Sequence, residues 1–280
     1  DDGGLTNVGK VEIYKNGTLI KTIVGSTNNA QLGERVAMDS TGQYVVYSGQ
    51  GVTLYDITTN NSFLISSERL VGSVDIVNTS SNLVVAFSNK SYKKVLVFEV
   101  PYDLDSHNQK GNTITETINS FGKYAYSISL AYNNGSYTLA VGASESKTVK
   151  VYTYTGNDWT SKYTLTDSNV NFFGYSVSLA KGDGNKLAIG GSNVAYVYDN
   201  QNLLQTFTTT WIAVCHMRDD GSRLYVKGMN DTSATINQLN GTQYALEHDI
   251  TLGTRDYYGA LSGNGARVLL SSYDDHPTYV

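Results

Sequence analysis

At 280 residues, with 40% apolar and 16% charged residues and a formal net charge of -5, the chain can bury a large core. Its Lys and Arg residues are scattered with no aromatic interleaving, which excludes a nucleic-acid groove, and no run approaches the roughly 18 apolar residues of a membrane span. The 22 tyrosines, 27 glycines and only 2 prolines, with no long apolar run of helical period, predict strands separated by tight turns. The chain starts at Asp1 with neither Met nor a signal-like stretch, so it is expected to be a processed product or the ordered part of something longer.

In chain order, GKVEIYKNGTLIKTIV (Gly9–Val24) reads as two strands around an Asn-Gly turn. The sequence then repeats itself. LGERVAMDSTGQYVVYSGQGVTLYDI (Leu32–Ile57), YAYSISLAYNNGSYTLAVGAS (Tyr124–Ser144) and FGYSVSLAKGDGNKLAIGGSNVAYVY (Phe173–Tyr198) share a first strand, a Gly/Asn/Asp turn and a second strand. Self-similarity at a period of about 45 residues, in strand-forming letters, predicts a β-propeller. First strands begin near Leu32, Val71, Tyr124, Phe173, Trp211 and Tyr257. Second strands follow at Tyr44–Ser48, Leu83–Phe87, Thr138–Gly142, Lys186–Gly190, Arg223–Lys227 and Arg267–Ser271. Third strands follow at Val52–Asp56, Lys94–Glu99, Val149–Tyr154, Val194–Tyr198 and Ala234–Leu239.

The last copy stops after its second strand, and the N-terminal pair supplies what is missing. The expected fold is therefore all-β: a six-bladed β-propeller with four-stranded blades, one domain over residues 1–280. Strands at 9–24 would complete the blade begun at about 256–272 and so pair edges otherwise left open. The turns at Ser40–Gly42, Asn133–Gly135, Gly182–Gly184, Asp219–Gly221 and Gly263–Gly265 could pass for calcium loops. Each carries too few oxygen ligands for that, and Asn-Gly and Asp-Gly suit the positive φ of hairpins.

The pattern FG…S-V-S-L…DG-N-x-L-A-I-G…V-x-V-Y, closest at Phe173–Tyr198 and good at Tyr124–Tyr154, resembles the FG-GAP and related repeats of extracellular β-propellers. The resemblance implies a rigid recognition platform, often extracellular, and no reaction. The Asp/Asn-rich loop of the calcium-binding members is missing here, as is the sialidase-type Asp-box. No Trp-Asp or Gly-His signature recurs per blade, which weighs against an intracellular tryptophan-aspartate-repeat protein.

Chemistry-bearing residues are thinly spread. Cys215 lies in the apolar run WIAVCHM and reads as a small buried hydrophobe; His216 beside it points to the other face of the strand. His107, His248 and His276 stand in no metal-ligand spacing, and no GxSxG elbow occurs, so no catalytic group, metal or cofactor is expected. Binding groups belong on the face carrying the loops into each first strand and those between second and third strands. Arg69, Tyr92, Arg255, Asp256 and Tyr273 are the candidates for ligand or partner binding there. Phe172 shares that face, whereas Phe173 and Trp211 are expected to wedge between blades. The insert Pro101–Asn112 is the longest departure from the repeat and falls on the opposite face.

The functional expectation is a non-enzymatic interaction or structural module, extracellular or surface-displayed on a virion, appendage or cell envelope, acting in assembly or attachment. Its partners would be other proteins or surface glycans, within a larger assembly. The alternatives are a carbohydrate-binding or glycan-active propeller and an intracellular scaffold for a protein complex.

Overall fold

A computed structural model describes residues 6–15, 18–69, 71–89, 93–115 and 127–251, together with the backbone of the two strands within 256–272. Every regular element among them is a β-strand. Strands β1 (Lys10–Lys15) and β2 (Thr18–Val24) form an antiparallel hairpin. The first complete blade is β3 (Val36–Met38), β4 (Tyr44–Ser48), β5 (Val52–Asp56) and β6 (Ser62–Ser66), paired in that order. The second is β7 (Val71–Asn78), β8 (Asn82–Asn89) and β9 (Lys94–Pro101), with an outer strand in two pieces, β10 (Asn108–Gln109) and β11 (Ile114–Thr115), both paired to β9. The insert at Pro101–Asn112 thus contributes β10, the first piece of this broken outer strand. The third blade is β12 (Ser127–Asn133), β13 (Ser136–Ala143), β14 (Thr148–Tyr154) and β15 (Trp159–Thr166).

The next two blades are joined. Strands β16 (Ser176–Leu179), β17 (Lys186–Asp199), β18 (Asn202–Met217), β19 (Arg223–Gly228), β20 (Ser233–Asn240) and β21 (Gln243–Thr251) make one six-stranded sheet. The second and third strands expected at 186–190 and 194–198 are both contained in β17. The chain bends between them at Asn193, in left-handed backbone at φ +61°, where the register with β18 also shifts. Strand β18 starts as the outer strand of the fourth blade and ends as the inner strand of the fifth. A last hairpin, β22 (Asp256–Leu261) and β23 (Val268–Ser272), follows.

In the five blades whose side chains are described, the second strand is buried on both faces, as in the all-buried β4, because blades stack face to face. Alternate residues of β8 serve different neighbours. Leu83, Val85 and Phe87 pack with Tyr44, Val46 and Leu54 of the first blade, and Val84 and Ala86 pack with Leu130, Leu139 and Val141 of the third. The same division repeats onward: Val149 and Val151 meet Leu179, Leu187 and Ile189, and Ala188 and Val197 meet Cys215, Leu224 and Val226. Inner strands lie side by side in the order β3, β7, β12, β16, β18, β22.

Glycines at Gly42, Gly135, Gly184 and Gly221 have positive φ, as the hairpin reading of those turns requires; the turn at 263–265 lies outside the described residues. The hairpins β1–β2 and β22–β23 are separate two-stranded sheets, with no ladder between them among the described residues. Val11 and Ile13 of β1 pack on Val45, Tyr47 and Tyr55 of the first blade, and Gly9 bridges Leu32.

Candidate functional site

An innermost strand has one edge with no pairing partner, so its N–H groups need acceptors. The repeat supplies them through its alternating polar residues. Asp75, Ser129, Ser178 and His216 occupy equivalent places on β7, β12, β16 and β18, opposite Ala86, Ala140, Ala188 and Tyr225 of their second strands. Each of the first three reaches the next blade. Leu130 N–H donates to Asp75 Oδ2 at 2.7 Å, Leu179 N–H to Ser129 Oγ at 3.0 Å, and Met217 N–H to Ser178 Oγ at 2.9 Å. A parallel set begins with Ile128 N–H to Ser73 Oγ at 3.3 Å and continues with Cys215 N–H to Ser176 Oγ at 3.1 Å. The serines of the S-x-S motif are therefore inter-blade fasteners around the axis, a role that spacing alone does not reveal.

At the C-terminal ends of these strands the axis carries charge. Lys181 Nζ donates to Asp75 Oδ1 at 2.7 Å and to the Ile76 carbonyl at 3.0 Å. Burial pulls the Lys181 ammonium down, but the Asp75 carboxylate outweighs it, helped by Asp219 and Asp39, and the result lies above the ordinary lysine value. Burial, then the nearby Lys181 charge, drives His216 from 6.5 down to about 4, with Asp75 opposing. Burial also raises the Asp219 carboxyl, partly offset by Lys181. Cys215 is buried on the other side of β18, and burial pushes its thiol up to about 12. A thiol so placed is a packing residue and no nucleophile. No group of three or more His, Cys, Asp or Glu among the described residues is arranged to hold a metal ion.

The opposite, N-terminal ends of the inner strands form the loop face. Arg69, leading into β7, is exposed there, with its carbonyl accepting from Asn89 Nδ2 at 2.8 Å. Of the other residues expected to bind, Tyr92, Arg255 and Tyr273 lie outside the described residues, and Asp256 is described only as the first backbone position of β22. Of the five, Arg69 is therefore the one whose side chain the structure describes. Phe173 is fully buried, edge-on to Tyr196 at 5.9 Å, and is the wedge expected of it. Trp211 is not: it is 53% exposed, and this corrects the expectation that it packs between blades. The reason is the continuity of β18, which carries Trp211 past the blade boundary in left-handed backbone at φ +61°.

Phe172, 39% exposed, has the same left-handed backbone at φ +57°. Positive φ is an outlier for bulky aromatics, and it persists here because the surrounding backbone is tied down. Trp211 N–H donates to Asn193 Oδ1 at 2.9 Å, Thr210 N–H to Asp231 Oδ1 at 3.1 Å, and Gly228 N–H to Asp231 Oδ2 at 2.8 Å. Ser192 N–H donates to the Asn171 carbonyl at 2.7 Å, while Ser192 pairs with Ile212 across the sheet. Phe172 and Trp211 thus flank the same two residues, Ser192 and Asn193. Two aromatic side chains stand in solvent on a rigid frame, with Asn and Thr groups around them.

No family model matches the chain, and no curated protein matches it. Solved structures do. The β-propeller domain of Cps50 (Swd1) from Myceliophteria thermophila superposes with a TM-score of 0.63 at 10% identity, covering 95% of this chain and 88% of that one. Hydrazine synthase of Kuenenia stuttgartiensis gives 0.67 at 10% identity over 99% and 93%. Atg21 (KlAtg21), in complex with the coiled coil of Atg16 (AgAtg16), gives 0.64 at 13% identity over 89% and 81%. At such identities the likeness speaks for architecture, and for β-propellers in general more than for the FG-GAP repeat. The chain has a β-propeller fold.

Proposed function

We propose that this chain is a protein-interaction scaffold that grips a partner through the Phe172–Trp211 surface. The observation that carries this reading is the pair of exposed aromatics in left-handed backbone on neighbouring blades. Trp anchors are frequent hot spots, and holding one rigid in solvent lowers the ordering cost of binding. The similarity to Atg21, captured with a coiled-coil segment, agrees with a scaffold within a complex. Display on a virion or envelope and recognition of glycans find no counterpart among the neighbours named above.

The ring itself is inferred to have six blades in one domain, the last shared between the β1–β2 and β22–β23 hairpins. The order of inner strands and the packing of Val11 and Ile13 on the first blade support that closure.

The functional test is a photo-crosslinking residue placed at position 172 in the producing cell. The expected result is one discrete adduct with another protein, lost in W211A while the unfolding midpoint stays unchanged. Adduct formation indifferent to W211A would count against this surface.

A further inference from the structure

The insert of the second blade ends in Lys110-Gly111-Asn112, and the third blade holds all three. Trp159 Nε1 donates to the Lys110 carbonyl at 2.8 Å, and Trp159 N–H donates to Asn112 Oδ1 at 2.7 Å. Gly111, at φ +77°, lies against the rings of Trp159 and Tyr154, where a Cβ would be crowded at 3.0 and 3.1 Å. This seating sends the Lys110 side chain, 10% exposed, into a corner between two rings. Its Nζ is 4.5 Å from the Tyr137 centroid and 4.6 Å from that of Tyr154. The two rings are nearly perpendicular, at 85° with centroids 6.0 Å apart, and Trp159 backs both. Glu99 Oε2 closes the corner at 3.3 Å from Nζ. Lys21 and Lys162 each lie over one ring only, at 5.7 and 5.8 Å.

Two converging π faces and a partly exposed carboxylate form an environment suited to an alkylammonium ion. We propose that the Tyr137–Tyr154 corner is an alkylammonium-binding site that the chain occupies with its own Lys110, and that release of the insert opens it to a lysine side chain of a partner. Tethering keeps the effective concentration of Lys110 high, so an outside lysine competes only once the insert has left. The site is lined by the second, third and outer strands of the third blade and the third strand of the second, apart from the Phe172–Trp211 surface, and stands independently of the role given to that surface.

The test is chemical rescue of K110A with n-butylammonium, the missing side chain in free form, using n-butanol as the uncharged control. K110A is expected to melt below wild type and to regain part of the loss saturably with n-butylammonium. n-Butanol should not do this, and neither wild type nor K110A/Y154L should respond to the amine. N-acetyl-lysine methylamide, titrated by NMR, is expected to bind K110A about tenfold more tightly than wild type. K110M, which keeps the apolar stem, repeats both measurements if K110A does not fold. Protection by n-butylammonium no greater than by n-butanol, or equal peptide binding by wild type and variant, overturns the proposal.

Discussion

Lys181 and Asp75 are ion-paired at 2.7 Å although one belongs to the turn after β16 and the other to β7, with the inner strand of the third blade between them. The Lys181 carbonyl meanwhile accepts from Tyr132 N–H at 3.0 Å, so this single residue fastens three consecutive blades near the axis. K181M removes the counter-ion and leaves the Asp75 carboxylate buried with its Leu130 N–H donor. Breaking a fully buried pair costs about 3–5 kcal/mol; the side chain of Lys181 is 19% exposed, so a loss of about 2–3 kcal/mol is expected in urea unfolding. D75N/K181M should recover part of it. A K181M protein within about 0.5 kcal/mol of wild type would mean that solvent already screens the pair.

Adjacent aromatics in the sequence have opposite roles, and stability should separate them. Phe173 fills the space between the third and fourth blades, so F173A is expected to cost about 3–5 kcal/mol. Phe172 and Trp211 face solvent, so F172A and W211A should each stay within about 0.5 kcal/mol of wild type. W211G should be no less stable, because glycine adopts φ +61° without strain. Guanidinium denaturation of the four variants decides the matter: a W211A cost equal to that of F173A would return Trp211 to the core.

The strand pattern was readable because second strands buried on both faces must be continuously apolar, and runs such as YVVYS and LAIGG are. The positive-φ turns were equally readable in Asn-Gly and Asp-Gly. What spacing could not reveal is lateral chemistry between blades. Ser129 and Ser178 look like the polar half of an alternating strand, and their acceptor role depends on which strand lies alongside. Lys181 lies 106 residues from Asp75, so nothing local announces that pair. Trp211 was misplaced because the run from Asn202 to Met217 looks like an outer strand, a loop and an inner strand, whereas its backbone pairing continues through both blades. Of the residues expected to bind, Arg69 alone has a described side chain, and it stands exposed on the loop face.

Glycine also does more than turn the chain. Gly190 is in mid-strand, and a Cβ there would strike the Ala213 carbonyl oxygen of the next blade; Gly142 stands in the same relation to Gly174. These close approaches set the spacing of neighbouring blades. G190A is therefore expected to cost about 3 kcal/mol, since backbone has to move to admit the methyl. Gly135 is the control: it has φ +90° but open space around it, so G135A should cost only about 1–2 kcal/mol of backbone strain. If G190A proves the milder change in thermal or urea unfolding, the blades have slack at this contact and the glycine serves something else.

Acid should loosen the axis through His216. Among the charged groups that act on its ring are Lys181, whose charge opposes protonation, and Asp75, which favours it; Asp219 acts on Lys181 in turn. With a folded value of about 4 against 6.5 for the free side chain, the unfolded chain holds a proton between those limits that the folded chain lacks. Stability from this group is full above 6.5 and falls as the pH drops toward about 4, with a slope of at most about 1.4 kcal/mol per pH unit. Asp219 works in the opposite sense, because a carboxyl raised by burial takes up its proton first in the folded state and so favours folding on acidification. Lys181 enters only in alkali, its contribution fading as the pH rises through a folded value above 10.5. Urea unfolding of wild type between about pH 7 and pH 5 should therefore lose stability that H216Q does not lose. Parallel curves for the two proteins would show that the ring already charges freely in the folded state, and hence that water fills the axis beside it.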